Sequence, residues 1–341
     1  AAKDGRNIDK RNNCKVVLRM KTKPHSIGKW KDFQNKYGLA GVFVVIVALF
    51  SLLNPNFLTL SNWSRILIGQ AIIGSVALGA IFILVIGEFD MSLGYMVAFV
   101  LMVGGYLSEK GCGTVSVLLA MFAVGALAGL VNGCLIVLLK IPNAVATMGA
   151  GICMYGLTLA MSGGRVLSLN IPKPIIEVCN YRFLNITLPV YILMFLMGVT
   201  LFLLEYTPYG KRLYAIGGNE RAAYLSGVNT KLYRISAFVI AGLFVALGAL
   251  FILGQARAAN PQRGPEYLMS AYATVYLSVT VFRPGAFNLK GVALSLILLG
   301  AGFKGLSLVG LPYWFENVFY GIILAVAMLT ANKETRAIKA G

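Results

Sequence analysis

Glu88 and Asp90, in the stretch GEFDMSLG, come closest in this chain to a pair of residues that could do chemistry. Carboxylates act as general acid and base when they share a site, and hold metals when His or Cys joins them. Two residues apart on a helix they point to different faces, and no His, Lys or metal-ligand cluster accompanies them. His25, the one histidine, stands far off near the N-terminus, and Cys14, Cys112, Cys134, Cys153 and Cys179 follow no metal spacing. No GxxxxGKS or GxxxxGKT occurs, so the chain has no phosphate cradle with which to hydrolyse ATP itself. No catalytic, cofactor-binding or metal-ligating residue is assigned. Gly87 and Gly94 around the acids point instead to a turn or helix break, with the carboxylates facing water or capping a helix that starts at Met91–Ser92.

The elements that must position these residues follow from composition. Of 341 residues, 58% are apolar and 12% charged, and the mean hydropathy is +0.78. A soluble domain so apolar would precipitate, which implies a polytopic membrane protein. Helices must carry the crossings, because backbone groups in lipid have to be satisfied within the segment and no barrel-type alternation is present. We expect an all-α transmembrane helical bundle of about ten spans: 39–54, 65–86, 93–108, 114–139, 144–161, 188–204, 234–255, 268–282, 289–308 and 315–331. In that frame Glu88 and Asp90 join two spans, and a second reading opens: with Ser92, Asn132 and Thr147 they are candidates for a solute path or its gate.

Residues 1–38 hold eleven Lys/Arg against three Asp/Glu and no apolar h-region, so we expect a basic cytoplasmic tail and an uncleaved first span. With that tail inside, the inner segments carry 22 Lys/Arg and the outer segments seven, and Lys304 falls within a span. Positive residues stay in the cytoplasm, so both termini are expected there, flanking a permeation domain over 39–331 and a C-terminal tail over 332–341. The net charge of +18 is thus a topology and lipid signal. A nucleic-acid partner would need a basic groove with stacking aromatics, and none is expected. Cys112 and Cys179 both fall outside, where a disulfide between them is left open. Gly125, Gly129 and Gly133, four apart, would let helices approach closely. Gly129–Pro142 and Gly302–Pro312 echo each other faintly, as repeated transporter halves do, though Gly and Pro abound in membrane helices anyway.

One polar island breaks the apolar pattern on the inner side: YGKRLYAIGGNERAAYLSGVN, from Tyr209 to Asn229, within the segment 205–233. Asn219 is a good N-cap, Glu220 suits the dipole of the first turn, and Gly227 is placed to end the helix left-handed. Gly217 and Gly218 would bend the chain into a helix over Glu220–Ser226, too short to stand without a surface to pack on. Ala222, Ala223, Tyr224 and Leu225 form a small knob, either resting on headgroups or inserted into a cytoplasmic partner.

This segment resembles the AxGxNxxAAxxSGI coupling segment of the permease subunits of ABC importers, in the branch that includes ribose, galactose, xylose and autoinducer-2 systems. The resemblance covers nearly the whole chain. GEFDMSLG is similar to that family's GGIDLSVG, Ile141–Gly164 to its IPPFIVTLGT and TGG stretch, and ARAANPQRGPEYLMSAYATV (Ala256–Val275) to its AR, P, G and AIAAV run. Where the family often has LGGTSxxGGxG, this chain has YLSVTVFRPGAFNLKG.

The resemblance implies an inner-membrane subunit, homodimeric or heterodimeric, that forms a path for a sugar or sugar-like solute; amino acids or nucleosides are the alternative. It also implies a cytoplasmic ATP-binding subunit against Gly217, Gly218, Asn219, Glu220, Ala222, Ala223, Leu225, Ser226 and Gly227. A periplasmic solute-binding protein is implied on the outer face, where Arg165, Arg182, Arg257 and Arg263 are the candidate docking charges.

Overall fold

The computed structural model describes residues 27–340 apart from Pro284 and Tyr313, with side-chain environments for 38–329. The readings on His25, on Cys14 and on most of the basic tail lie outside the described residues. Among the described residues thirteen α-helices follow one another: α1 (Ile27–Leu53), α2 (Leu60–Val85), α3 (Leu93–Glu109), α4 (Thr114–Val137), α5 (Asn143–Ser162), α6 (Lys173–Asn180), α7 (Leu188–Leu201), α8 (Pro208–Gly218), α9 (Glu220–Leu225), α10 (Thr230–Ala256), α11 (Pro265–Ser278), α12 (Leu289–Leu308) and α13 (Phe315–Ala340). Among the described residues the strands are a single two-residue hairpin, β1 (Arg182–Phe183) and β2 (Ile186–Thr187).

Helices α2, α4, α5, α10 and α12, with α7 extended by the π-turn to Tyr206, are long and apolar enough to cross a bilayer, and Gly38–Leu53, Leu93–Glu109 and Phe315–Leu329 are shorter apolar helices. Each segment expected to cross has a helix, so the chain is an all-α polytopic membrane fold. Two boundaries move: α1 begins at Ile27, inside the expected tail, and α13 runs on to Ala340, through the expected C-terminal tail.

Side chains at the helix starts supply acceptors for otherwise orphaned N–H groups. Thr207 accepts from Gly210, Asn219 from Ala222, Asn229 from Leu232 and Asn288 from Gly291, at 2.8–3.4 Å. Helix α6, in the outer segment, was not expected; its Pro174 near the start and the buried pair Ile175 and Cys179, one turn apart, explain why it forms and docks.

The central contact is antiparallel. On α2 and α10, Gly79 lies against Ala241 while Ile72 and Val76 lie against Gly248. The row Gly125, Gly129, Gly133 makes the α4–α10 seam: a Cβ at Gly129 would stand 2.2 Å from the Phe238 carbonyl oxygen, and one at Gly125 2.5 Å from that of Gly242. The row is a packing surface.

Helices α2–α5 and α10–α13 pack reciprocally. α3 contacts α4, α5 and α10; α11 contacts α12, α13 and α2. Because α2 and α10 run oppositely, these are two units of inverted topology. Gly129–Pro142 and Gly302–Pro312 end the third helix of each unit and lead into the fourth, so their echo falls at corresponding positions.

The second helix of each unit is short. At 1.5 Å per residue, α3 and α11 reach about 26 and 21 Å, less than the ~30 Å hydrocarbon thickness. Irregular backbone precedes each helix, at residues 86–92 and 257–264. Parts of both stretches are enclosed by protein, Asp90 and Ala259 above all, while Gly87, Arg257, Gln262 and Arg263 are exposed. The two helix starts touch: Gly264 lies against Gly94 and Ala98, so closely that a Cβ on Gly264 would stand 2.4 Å from the Gly94 carbonyl oxygen.

Candidate functional site

All five residues considered for a path or gate meet around the connection Gly87–Ser92. Gly87 turns the chain at φ +80° just beyond α2, where residues with a Cβ are strained. No regular ladder holds the connection, so side chains from other helices do. The Tyr272 hydroxyl, on α11, accepts from the Asp90 N–H at 2.9 Å and donates to the Asp90 carbonyl at 2.8 Å, while its ring stacks on Phe89. The Thr147 hydroxyl, on α5, accepts from the Met91 N–H at 3.1 Å.

The Asp90 carboxylate faces into this cluster. Its Oδ1 accepts from the Ser92 N–H at 2.7 Å and the Ser92 hydroxyl at 2.6 Å, and its Oδ2 from Asn132 Nδ2, on α4, at 3.1 Å. Asn132 Nδ2 also donates to Ser92 Oγ at 2.7 Å, which leaves Asn132 Oδ1 without a partner. Turning that amide over would set its oxygen against the carboxylate, so the orientation is fixed by charge. A buried carboxylate persists only when hydrogen bonds replace its water, and three do so here. The expectation that the acids face water is therefore corrected: Asp90 is 1% exposed and Glu88 is largely covered. Asp90 accepts the N–H of Ser92, the N-cap residue of α3, in a local turn, and no side-chain hydrogen bond caps α3 itself.

Glu88 points the other way, to Arg234 on the second turn of α10. One guanidinium nitrogen of Arg234 donates to Glu88, and the other donates to Glu220, in the first turn of α9, at 2.7 Å.

Helix α9 has the cap foreseen for it: Asn219 Oδ1 accepts from Ala222 N–H at 3.0 Å, and Gly227 is left-handed at φ +85°. Two details differ. The chain bends at Asn219 (φ −160°, ψ 101°), and Gly217 and Gly218 form the last turn of α8 instead. Gly217 is small for packing, since a Cβ there would stand 2.0 Å from the Val85 carbonyl oxygen. Ala223 does not belong to the knob's outer surface: it is buried against the chain, and the outward residues are Ala222, Tyr224, Leu225 and Ser226. Beside α9 a cleft of about 900 Å³ opens, lined by Lys140, Asn143, Tyr224 and Lys231 among others.

Of the arginines considered for docking, Arg165, Arg182 and Arg257 lie toward the other end of the bundle, whereas Arg263 adjoins Gly264, which packs on Gly94 at the start of α3. Arg165 is exposed and pairs with Glu109 at 3.1 Å, and the nearby Leu167 bridges Ala259, which brings the Arg165 loop toward Arg257. Arg182 is exposed on β1, in a separate corner. Arg263 stands at the far end of 257–264, within 3.9 Å of Glu266. Cys112 and Cys179 are free thiols. Lys304 lines a cavity with Asn62 and Arg65, near the end of α12. Among the described residues no group of His, Cys, Asp and Glu could hold a metal ion.

Sequence reasoning missed Tyr272 and Arg234. Tyr272 lay inside the Ala256–Val275 run that carried the resemblance, and Arg234 had been counted only as inner positive charge.

The family model for the branched-chain amino acid transport system / permease component matches residues 62–328, which take in both inverted units, the Asp90 cluster and α9. The chain belongs to this permease family. Among similar proteins, the ribose import permease protein of Bacillus subtilis (strain 168) is 29% identical over 86% of this chain and 92% of its own length. The L-arabinose ABC transporter permease protein of Azospirillum brasilense is 28% identical over 89% of this chain and 88% of its own. A probable ABC transporter permease protein of Escherichia coli (strain K12), YphD, is 30% identical over 86% and 89%. No solved structure matches the chain. The permease is thus a multi-pass integral protein of the bacterial inner membrane whose work is transport.

Proposed function

We propose that this permease forms the path for a sugar or sugar-like solute in a binding-protein-dependent ABC importer. Relatives similar over most of the chain are permeases named for ribose, L-arabinose and D-allose. Charge-poor spans suit hydroxylated solutes, which need hydrogen bonds and no counter-charge. Two such subunits, identical or different, enclose the path.

The observation that carries the driving mechanism is α9, a capped helix of six residues that holds Tyr224 and Leu225 outward, 67% and 77% exposed. A cytoplasmic ATP-binding subunit seats this knob, and ATP binding and hydrolysis move it. A periplasmic binding protein delivers the solute at the end bearing Arg165, Arg182 and Arg257, where rim charges steer association. Glu88, Asp90, Ser92, Asn132 and Thr147 act as a hinge or gate and not as path wall, because they are covered within the single chain.

The test is ATPase stimulation in proteoliposomes holding the permease, its ATP-binding subunit and its binding protein, across ribose, L-arabinose, D-allose and leucine. A sugar is expected to stimulate. Stimulation by leucine alone would favour the amino-acid reading.

A further inference from the structure

We infer that Arg234 is the positioning residue through which movement of α9 reaches the start of α3, an inference that rests on the coupling role proposed for α9. Its guanidinium is mostly covered and joins two carboxylates from different elements: Glu220, in the first turn of α9, and Glu88, in the connection before α3. Arg234 itself stands on α10, which is packed against α2 and α4 by close glycine contacts, so it is the long guanidinium side chain and not the helix that follows α9. The planar guanidinium fork can hold both carboxylates at once, which a lysine, a point charge on a flexible stem, does poorly.

What lies beyond Glu88 gives the link its reach. Two residues further on, Asp90 is gripped by Tyr272 of α11, Ser92 and Asn132 of α4, and Met91 is held by Thr147 of α5. Beyond the backbone bonds that tie Gly87 and Glu88 to the last turn of α2, residues 89–92 lack a regular backbone ladder, so a pull passed on from Glu88 is resisted there mainly by those side chains. Their neighbour Gly94 is pressed against Gly264 and Pro265, at the other irregular stretch. A displacement of α9 through Arg234 thus acts on both helix breaks, one opening from each end of the bundle. A two-state element that both sites bias is the physical requirement for such coupling.

A plain structural ion pair would use the same geometry, so the test separates stability from transmission. The complete complex of permease, ATP-binding subunit and loaded binding protein is reconstituted with Arg234→Gln, Arg234→Lys, Glu88→Gln or Ala222→Arg in the permease. Assembly is read by pull-down, stability by thermal unfolding, and transmission by the ratio of stimulated to unstimulated ATPase. Arg234→Gln is expected to assemble but to lose at least about tenfold of the stimulation ratio, within the usual range of coupling between sites. Glu88→Gln should reproduce that loss, the double variant should be no worse than either single one, and Arg234→Lys should fall between. A wild-type ratio in assembled Arg234→Gln, or a loss confined to assembly and thermal stability, would overturn the inference. Ala222→Arg tells the two readings apart: if it prevents assembly while Arg234→Gln keeps full stimulation, α9 docks but Arg234 does not transmit. If Ala222→Arg leaves assembly and stimulation intact, the coupling role of α9 falls, and the inference with it.

Discussion

Tyr272 holds the Asp90 backbone with one hydroxyl that both accepts and donates. Tyr272→Phe keeps the ring stacked on Phe89 and strands a buried N–H and carbonyl, each of which costs about 1–3 kcal/mol when left unpaired. We expect a lower thermal unfolding temperature in detergent with little change in membrane insertion. An unfolding temperature equal to that of the unaltered permease would mean that water replaces the hydroxyl and that the grip contributes nothing. Asp90→Asn should be worse, because its amide nitrogen would confront the Ser92 N–H or the Asn132 amide as donor against donor. At this scale the sequence was half legible. Gly87, Asp90 and Gly94 announced a break, but the burial of Asp90 depends on Asn132, Thr147 and Tyr272, between about 40 and 180 positions away in the chain, and no local spacing encodes such meetings.

Elements were more legible, because apolar length and end residues report on them directly. Asn219 and Gly227 marked α9 to within a residue. The misplaced bend has a simple cause: a Gly-Gly pair signals a turn when only flexibility is considered, whereas Gly217 is there because α8 passes within backbone contact of Val85. That difference is measurable. Gly218 has nothing near it and Gly217 has the Val85 carbonyl 2.0 Å from a would-be Cβ, so Gly218→Ala should be neutral and Gly217→Ala should sharply reduce the yield of folded permease in size-exclusion chromatography. Equal yields would mean that α8 does not press on α2 as described. The glycine row of α4 obeys the same logic: Gly129→Ala should destabilise far more than Gly133→Ala, where the nearest backbone atom is 3.1 Å from the added Cβ. The row itself was visible; its partner α10, a hundred residues later, was not.

Across the whole molecule, charge asymmetry sets a testable direction. Lys140, Glu220, Lys231 and Arg234 share one end of the bundle, and Arg165 and the Leu167–Ala259 bridge share the other. With the positive end in the cytoplasm, a cysteine at Asn170 in a cysteine-free permease should react with an impermeant thiol reagent in intact cells, and one at Asn219 should not. The reverse pattern would invert the topology and remove α9 from reach of any cytoplasmic subunit. The inverted pairing of α2–α5 with α10–α13 was only faintly legible, through Gly129–Pro142 and Gly302–Pro312, because opposite units keep the same architecture with few of the same residues.

The central claim is that α9 receives force from an ATP-binding subunit, and Ala222→Arg tests it most directly. Ala222 faces outward and Ala223 inward, so this substitution puts a long charged side chain into the contact while α9 stays packed on its own chain. An anionic membrane surface would tolerate the added arginine; a close-fitting protein contact would not. In proteoliposomes with the ATP-binding subunit and the sugar-loaded binding protein, Ala222→Arg is predicted to abolish binding-protein-stimulated ATPase activity and to weaken recovery of the ATP-binding subunit. Stimulation and recovery equal to those of the unaltered permease would contradict the account.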